Sequence, residues 1–177
     1  MLEQYIRKER ARELSIDELK SMVTRPGLKF VDWVNFKGSG IKQLMGNSQG
    51  VIVLLEHHGK DRGHFVLFLK HRNHIEYFDS YGLAPLRLVG ILGFDQNETN
   101  RFMQIVSGCK KHHVQFQAKR ADINTCGRYA VMRYNCKFAS FKEFRGIMHH
   151  ASLHPDDVVT MLTMSSDFGH LKKVFAM

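Results

Sequence analysis

Two apolar runs, Gly50-VIVLLEHH and His64-FVLFLKHR, are separated only by the polar connection HGKDRG, and a third, Ile75-EYFDSYG, follows after RNH. Short runs rich in Val, Leu and Phe between turn residues read as strands. Connections this short join antiparallel neighbours, because a parallel return needs a crossover of about a dozen residues or more. The spacing therefore predicts an antiparallel central sheet.

Around that sheet the pattern is helical. Ser15-Ile-Asp-Glu18 has the spacing of a capping box, and Leu19, Met22 and Val23 follow at helical intervals, which predicts a helix to about Thr24 ahead of Pro26-Gly27. Asn97 to Ser107 carries Phe102, Ile105 and Val106 on one helical face, and HHVQFQ alternates like a further strand. The last third reads as a helix from Gly127 through Met132 onward, a second capping box at Ser140-Phe-Lys-Glu143, and a helix DDVVTMLTM led by Pro155. The class is α+β, a sheet with helices before and after it. At 177 residues, with no repeat and three prolines, a single domain over 1–177 is expected.

No stretch approaches the roughly eighteen consecutive apolar residues of a membrane span. The N-terminal MLEQYIRKERARELS is charged throughout and lacks the apolar segment of a secretory signal, so a place inside a cell is expected, with no membrane partner. Three cysteines, an odd number without C-x-x-C spacing, fit a reducing compartment and leave a thiol available for chemistry. The formal charge of +9 invites a polyanion. Lys110-Lys111 and Lys119-Arg120 read as solvated faces, with nucleic-acid contact as the sharper alternative.

One thiol stands out. In INTCGRYAVMRY, Cys126 precedes a glycine at what reads as a helix start, where unpaired N–H groups and the helix dipole favour a thiolate and can hold an oxyanion. Gly127 would let a substrate carbonyl approach the backbone. Cys136 reads as filler near the end of that helix, and Cys109 as a surface or partly buried thiol. A base must stand close by, and there are eleven histidines. His64 begins an apolar strand beside a turn, and Asp79 ends the next run, so an antiparallel pair brings them together, the aspartate orienting the imidazole. Gln117 can donate its amide to the oxyanion, with Gln115 as competitor two residues earlier. The pairs His57-His58, His112-His113 and His149-His150 lack ligand spacing, and adjacent strand residues face opposite ways, so no metal site is expected. Trp33, in FVDWVNF, reads as core or groove wall.

The order GHF, EYFDSYG, QFQ, TCGRY, from Val51 to Tyr134, resembles the clan of cysteine proteases that includes adenovirus maturation protease and the SUMO-deconjugating proteases. The resemblance implies that His64 is the base, Asp79 its orienter, Gln117 the oxyanion donor and Cys126 the nucleophile. It also implies a papain-like architecture of the adenain type, with a central mixed, largely antiparallel sheet flanked by helices. Many relatives carry Trp after the histidine; Phe65 stands there and keeps an aromatic wall for the substrate. In many relatives the Gln lies closer to the Cys. Length and charge look more like the viral maturation branch, which implies a monomeric thiol endopeptidase in the virion and host-cell interior. It would cut capsid or precursor proteins after Gly-Gly-like or Gly-Ala-like motifs. No cofactor is required for that chemistry, while DNA or a peptide can serve as activator in the branch it resembles. A deubiquitinase or SUMO-like deconjugating protease is the alternative with the same chemistry, and a basic nucleic-acid- or capsid-binding protein with an inert Cys126 the alternative of another class.

Overall fold

The computed structural model describes residues 2–60, 62–149 and 153–164. In chain order the elements are α1 (Leu2–Ala11), α2 (Ile16–Ser21), β1 (Leu28–Asp32), α3 (Ile41–Met45), β2 (Gly50–Glu56), β3 (Gly63–Lys70), β4 (Ile75–Phe78), α4 (Pro85–Leu92), α5 (Gln96–Val106), β5 (Lys110–Lys111), α6 (Cys126–Asn135), α7 (Phe141–Met148) and α8 (Pro155–Met164). The fold is α+β. The chain divides into two compact units, Gly27–Gln115, and Met1–Pro26 with Phe116–Met177.

The first unit holds the sheet, ordered β1-β2-β3-β4-β5. The β2–β3 and β3–β4 pairings are antiparallel, as their short connections require, and both outer pairings are parallel, so the sheet is mixed. The parallel ones are reached by crossovers, through α3 between β1 and β2 and through α4 and α5 between β4 and β5. Val51, Val53, Leu55, Val66, Phe68 and Tyr77 alternate onto one sheet face and enter the buried core with Leu88, Phe102 and Ile105 of the helices. Trp33 belongs to this core, with Phe102 edge-on at 5.4 Å and the Arg101 guanidinium 4.3 Å over its ring.

HHVQFQ is not a strand: β5 ends at Lys111, and the chain leaves the sheet edge. At Val114 and Gln115 its backbone runs so close to Gly82 that a Cβ there would lie 2.6 Å from the Val114 carbonyl carbon. Those backbone groups pack on a turn rather than extend the ladder. The alternation that suggests a strand has another origin, since Phe116 is the centre of an aromatic cluster in the helical unit, 5.8 Å from Tyr129 and 5.5 Å from Phe144.

In that helical unit α6 is the core element, with every residue from Gly127 to Asn135 buried. A helix buried all round needs partners for its polar side chains. Arg128 donates to Glu9 Oε2 at 3.0 Å and Thr163 Oγ1 at 2.8 Å, and Tyr134 Oη donates to the Pro26 carbonyl at 2.6 Å. Asn135 donates to the Met22 carbonyl at 3.0 Å and accepts from Thr24 N–H at 3.0 Å. That last clamp explains why α2 stops at Ser21, short of Thr24: Asn135 takes the backbone groups that a further turn would use. Capping boxes form at Ser15–Glu18 and Ser140–Glu143 as their spacing predicts, and Pro155 opens α8.

Candidate active site

In the sheet unit, register brings the histidine and aspartate together. Leu67 pairs with Phe78 and Phe68 with Tyr77. Continued one step past its last rung, the same ladder sets Val66 opposite Asp79, and two residues further His64 opposite Tyr81. With a side-chain period of two, His64, Asp79 and Tyr81 share one face. His64 Nε2 lies 2.7 Å from Asp79 Oδ1, the Tyr81 ring stacks on the imidazole at 4.7 Å, and His64 and Asp79 are both buried. Gly63 permits this start to β3, since a Cβ there would sit 2.6 Å from Leu54 Cδ1 and 3.0 Å from the Leu55 carbonyl oxygen.

Asp79 is held by its own turn. Its Oδ1 accepts from Tyr81 N–H and its Oδ2 from Leu83 N–H, each at 3.0 Å. Both oxygens therefore act as acceptors, so Nε2 of His64 carries the proton in their hydrogen bond and Nδ1 is the basic nitrogen. The turn depends on Gly82, whose φ is +63°. A left-handed conformation costs a residue with a Cβ about 1–2 kcal/mol, and here the Cβ would also strike the Val114 backbone. Gly82→Ala is expected to lower the melting temperature by roughly 4 °C or more, read by a thermal unfolding scan; an unchanged midpoint would contradict this account of the turn.

In the helical unit, Cys126 is the first residue of α6 and is half-buried. The residue before it, Thr125, makes no side-chain cap; its hydroxyl donates instead to Asp156 Oδ1 at 2.5 Å. The positive end of a buried helix thus lies at the thiol without a hydroxyl cap on its first turn. The other two thiols are unsuited to attack. Burial pushes both Cys109 and Cys136 up to about 11, and Cys109, which the sequence suggests is at most partly buried, lies in the core with its thiol directed at the Ile105 carbonyl. Cys136 is the buried filler expected after its helix.

Gln117 is buried, and its Nε2 donates to the Ile123 carbonyl at 3.2 Å in the loop that leads to Cys126. Gln115 is exposed and belongs to the sheet unit. The two therefore do not share a strand face, and Gln117 is the one built into the Cys126 unit. Phe65 is half-buried and, by strand alternation, on the opposite face of β3 from His64. Gly127 is buried behind Cys126.

Some features lie outside the motifs. A second histidine–carboxylate pair closes the far end of the β3–β4 hairpin, with His71 Nε2 3.0 Å and His112 Nε2 3.9 Å from buried Glu76. Its signal is a charged residue between apolar neighbours in IEYF, buried on the sheet face opposite Tyr77. The thiol nearest to it in sequence, Cys109, faces the core. Among the described residues no group of three or more His, Cys, Asp or Glu side chains could hold a metal ion, and His150 lies outside those residues. Asp156, fully buried in the first turn of α8, is the functional candidate that no motif announces.

Among the described residues no helix is long and apolar enough to cross a membrane. No family model matches the chain. A relative from Sputnik virophage, described as uncharacterized protein V9, is 30% identical over 129 residues, covering 65% of this chain and 74% of the relative. The chain therefore belongs to the family of the Sputnik virophage protein V9.

Proposed function

We propose that this chain is a viral cysteine endopeptidase, a maturation protease acting on capsid or precursor proteins after Gly-Gly-like or Gly-Ala-like motifs, with the papain-like architecture of the adenain and SUMO-protease clan. The observation that carries the reading is the buried His64–Asp79 pair, 2.7 Å apart, in which the carboxylate's backbone bonds set the tautomer. A hydrogen-bonded imidazole with its second nitrogen basic is the base that thiol chemistry needs. The position of Cys126 at the start of α6 supports the same reading, and kinship with a virophage protein favours the viral setting.

In this mechanism His64 Nδ1 takes the Cys126 proton and the thiolate attacks the substrate carbonyl carbon. The backbone N–H at Cys126 and the Gln117 amide receive the oxyanion. His64 then protonates the leaving amine, and it deprotonates the water that cleaves the thioester. Phe65, on the opposite face of β3 from His64, supplies no wall to this site, and Gly127 contributes only the absence of a side chain next to Cys126.

The test is differential alkylation. At pH 7.5 iodoacetamide is expected to modify Cys126 at least about tenfold faster than Cys109 or Cys136, whose raised values leave well under a hundredth as thiolate. His64→Ala should lower the Cys126 rate while His71→Ala leaves it unchanged. Equal labelling of the three thiols would favour a non-enzymatic basic protein. Incubation with capsid precursors and with ubiquitin-like fusions separates maturation from deconjugation.

A further inference from the structure

Asp156 gathers the groups on which the oxyanion would depend, and the inference rests on the thiol-protease reading above. Its Oδ2 accepts from the backbone N–H of Ala118, the residue after Gln117, at 2.9 Å. Its Oδ1 accepts from the hydroxyl of Thr125, the residue before Cys126, at 2.5 Å. The Tyr129 hydroxyl, one helical turn beyond Cys126, lies near the carboxylate and donates to the carbonyl of Phe116, the residue before Gln117, at 3.3 Å. His154 Nδ1, half-exposed, lies 3.2 Å from Oδ2. The buried carboxylate so ties the residue after Gln117 to the residue before Cys126, and Tyr129 of α6 separately holds the residue before Gln117.

We propose that Asp156 is the positioning residue of the oxyanion-binding groups, holding the Gln117 segment and the start of α6 in fixed relation. A carboxylate buried at zero exposure is unfavourable unless its oxygens are filled. Here one hydroxyl and one backbone N–H each fill an oxygen, and the site at the first turn of α8 adds the positive end of that helix. Burial nonetheless raises the Asp156 pKa above the ordinary carboxylate value. Such an arrangement is costly for mere packing, where an apolar side chain would serve.

Two reactions at one thiol separate positioning from general support. Alkylation by iodoacetamide forms no oxyanion, whereas hydrolysis of a fluorogenic peptide with Gly-Gly before the scissile bond does. Asp156→Ala is expected to lower kcat on that peptide about 10- to 100-fold, as partial loss of an oxyanion donor does, with KM and the Cys126 alkylation rate within about twofold of wild type. Thr125→Val should reproduce the split more mildly, and Thr125→Ser, which keeps the hydroxyl, should recover the lost turnover. If Asp156→Ala does not fold, the Thr125 pair decides. A kcat that stays within twofold in the folded variants, or hydrolysis and alkylation falling in equal proportion, overturns the positioning role alone. Wild-type protein that neither labels selectively at Cys126 nor cleaves the peptide overturns the protease reading and this inference together.

Discussion

Cys126→Ala is expected to fold like the wild-type protein and to lose peptide hydrolysis by about 10⁴-fold or more, the scale on which removal of a nucleophile acts. The side chain is half-buried at the first position of α6, where alanine is compatible with the helix and removes only one sulfur, so stability should change by about 1 kcal/mol or less. His64→Ala should fall by a comparable factor, and the double variant should lose little beyond either single one, because nucleophile and base act as a unit. Steady-state hydrolysis of the Gly-Gly peptide, with thermal unfolding as the control for folding, measures both. Retained turnover in Cys126→Ala would leave the thiol without a catalytic role.

Asp79→Asn has the second largest expected effect, and its chemistry is more specific. The aspartate accepts three hydrogen bonds, from His64, Tyr81 and Leu83. An asparagine has one acceptor oxygen and one NH2 donor. With its NH2 toward Leu83, two donors meet in a buried site. With its NH2 toward His64, Nε2 must become the acceptor and the ring proton moves to Nδ1, the nitrogen the mechanism needs as a base. In the second arrangement kcat should fall by roughly 10³- to 10⁴-fold, the scale set by the same change in a serine-protease triad; in the first the tautomer is kept but the charge that stabilises the imidazolium is lost, and the fall is smaller. The buried mismatch should destabilise by about 1–3 kcal/mol. Asp79→Ala would lose activity without the tautomer reversal, so the comparison of kcat and unfolding midpoint across the two variants tests the account.

How far this site can be read from the chain follows from what each part depends on. His64 and Asp79 are legible because a hairpin with a short turn fixes its register locally, and alternation then assigns the face. Cys126 is legible as a helix start because its neighbours Thr125 and Gly127 interrupt the apolar pattern. The strand expected at HHVQFQ is misread because alternation only reports that every second residue is buried. Phe116 is buried by α6 and α7, not by a neighbouring strand. The helix α1 is hidden by a charged composition with a single buried residue, Ile6. The strands β1 and β5 are short and parallel, so their pairing depends on crossovers through several helices.

Local chemistry in the sequence decides the three central strands, the capped helices, and which histidine, aspartate and cysteine fall at element ends, since all of these depend on residues within one turn or one hairpin. Tertiary structure alone decides the mixed sheet, the burial that silences Cys109 and Cys136, and the grip of Asp156 on Ala118 and Thr125. Those partners lie 38 and 31 residues away. Their hydrogen bonds exist because packing of α8 on α6 brings a carboxylate to a place where donors satisfy its charge away from water.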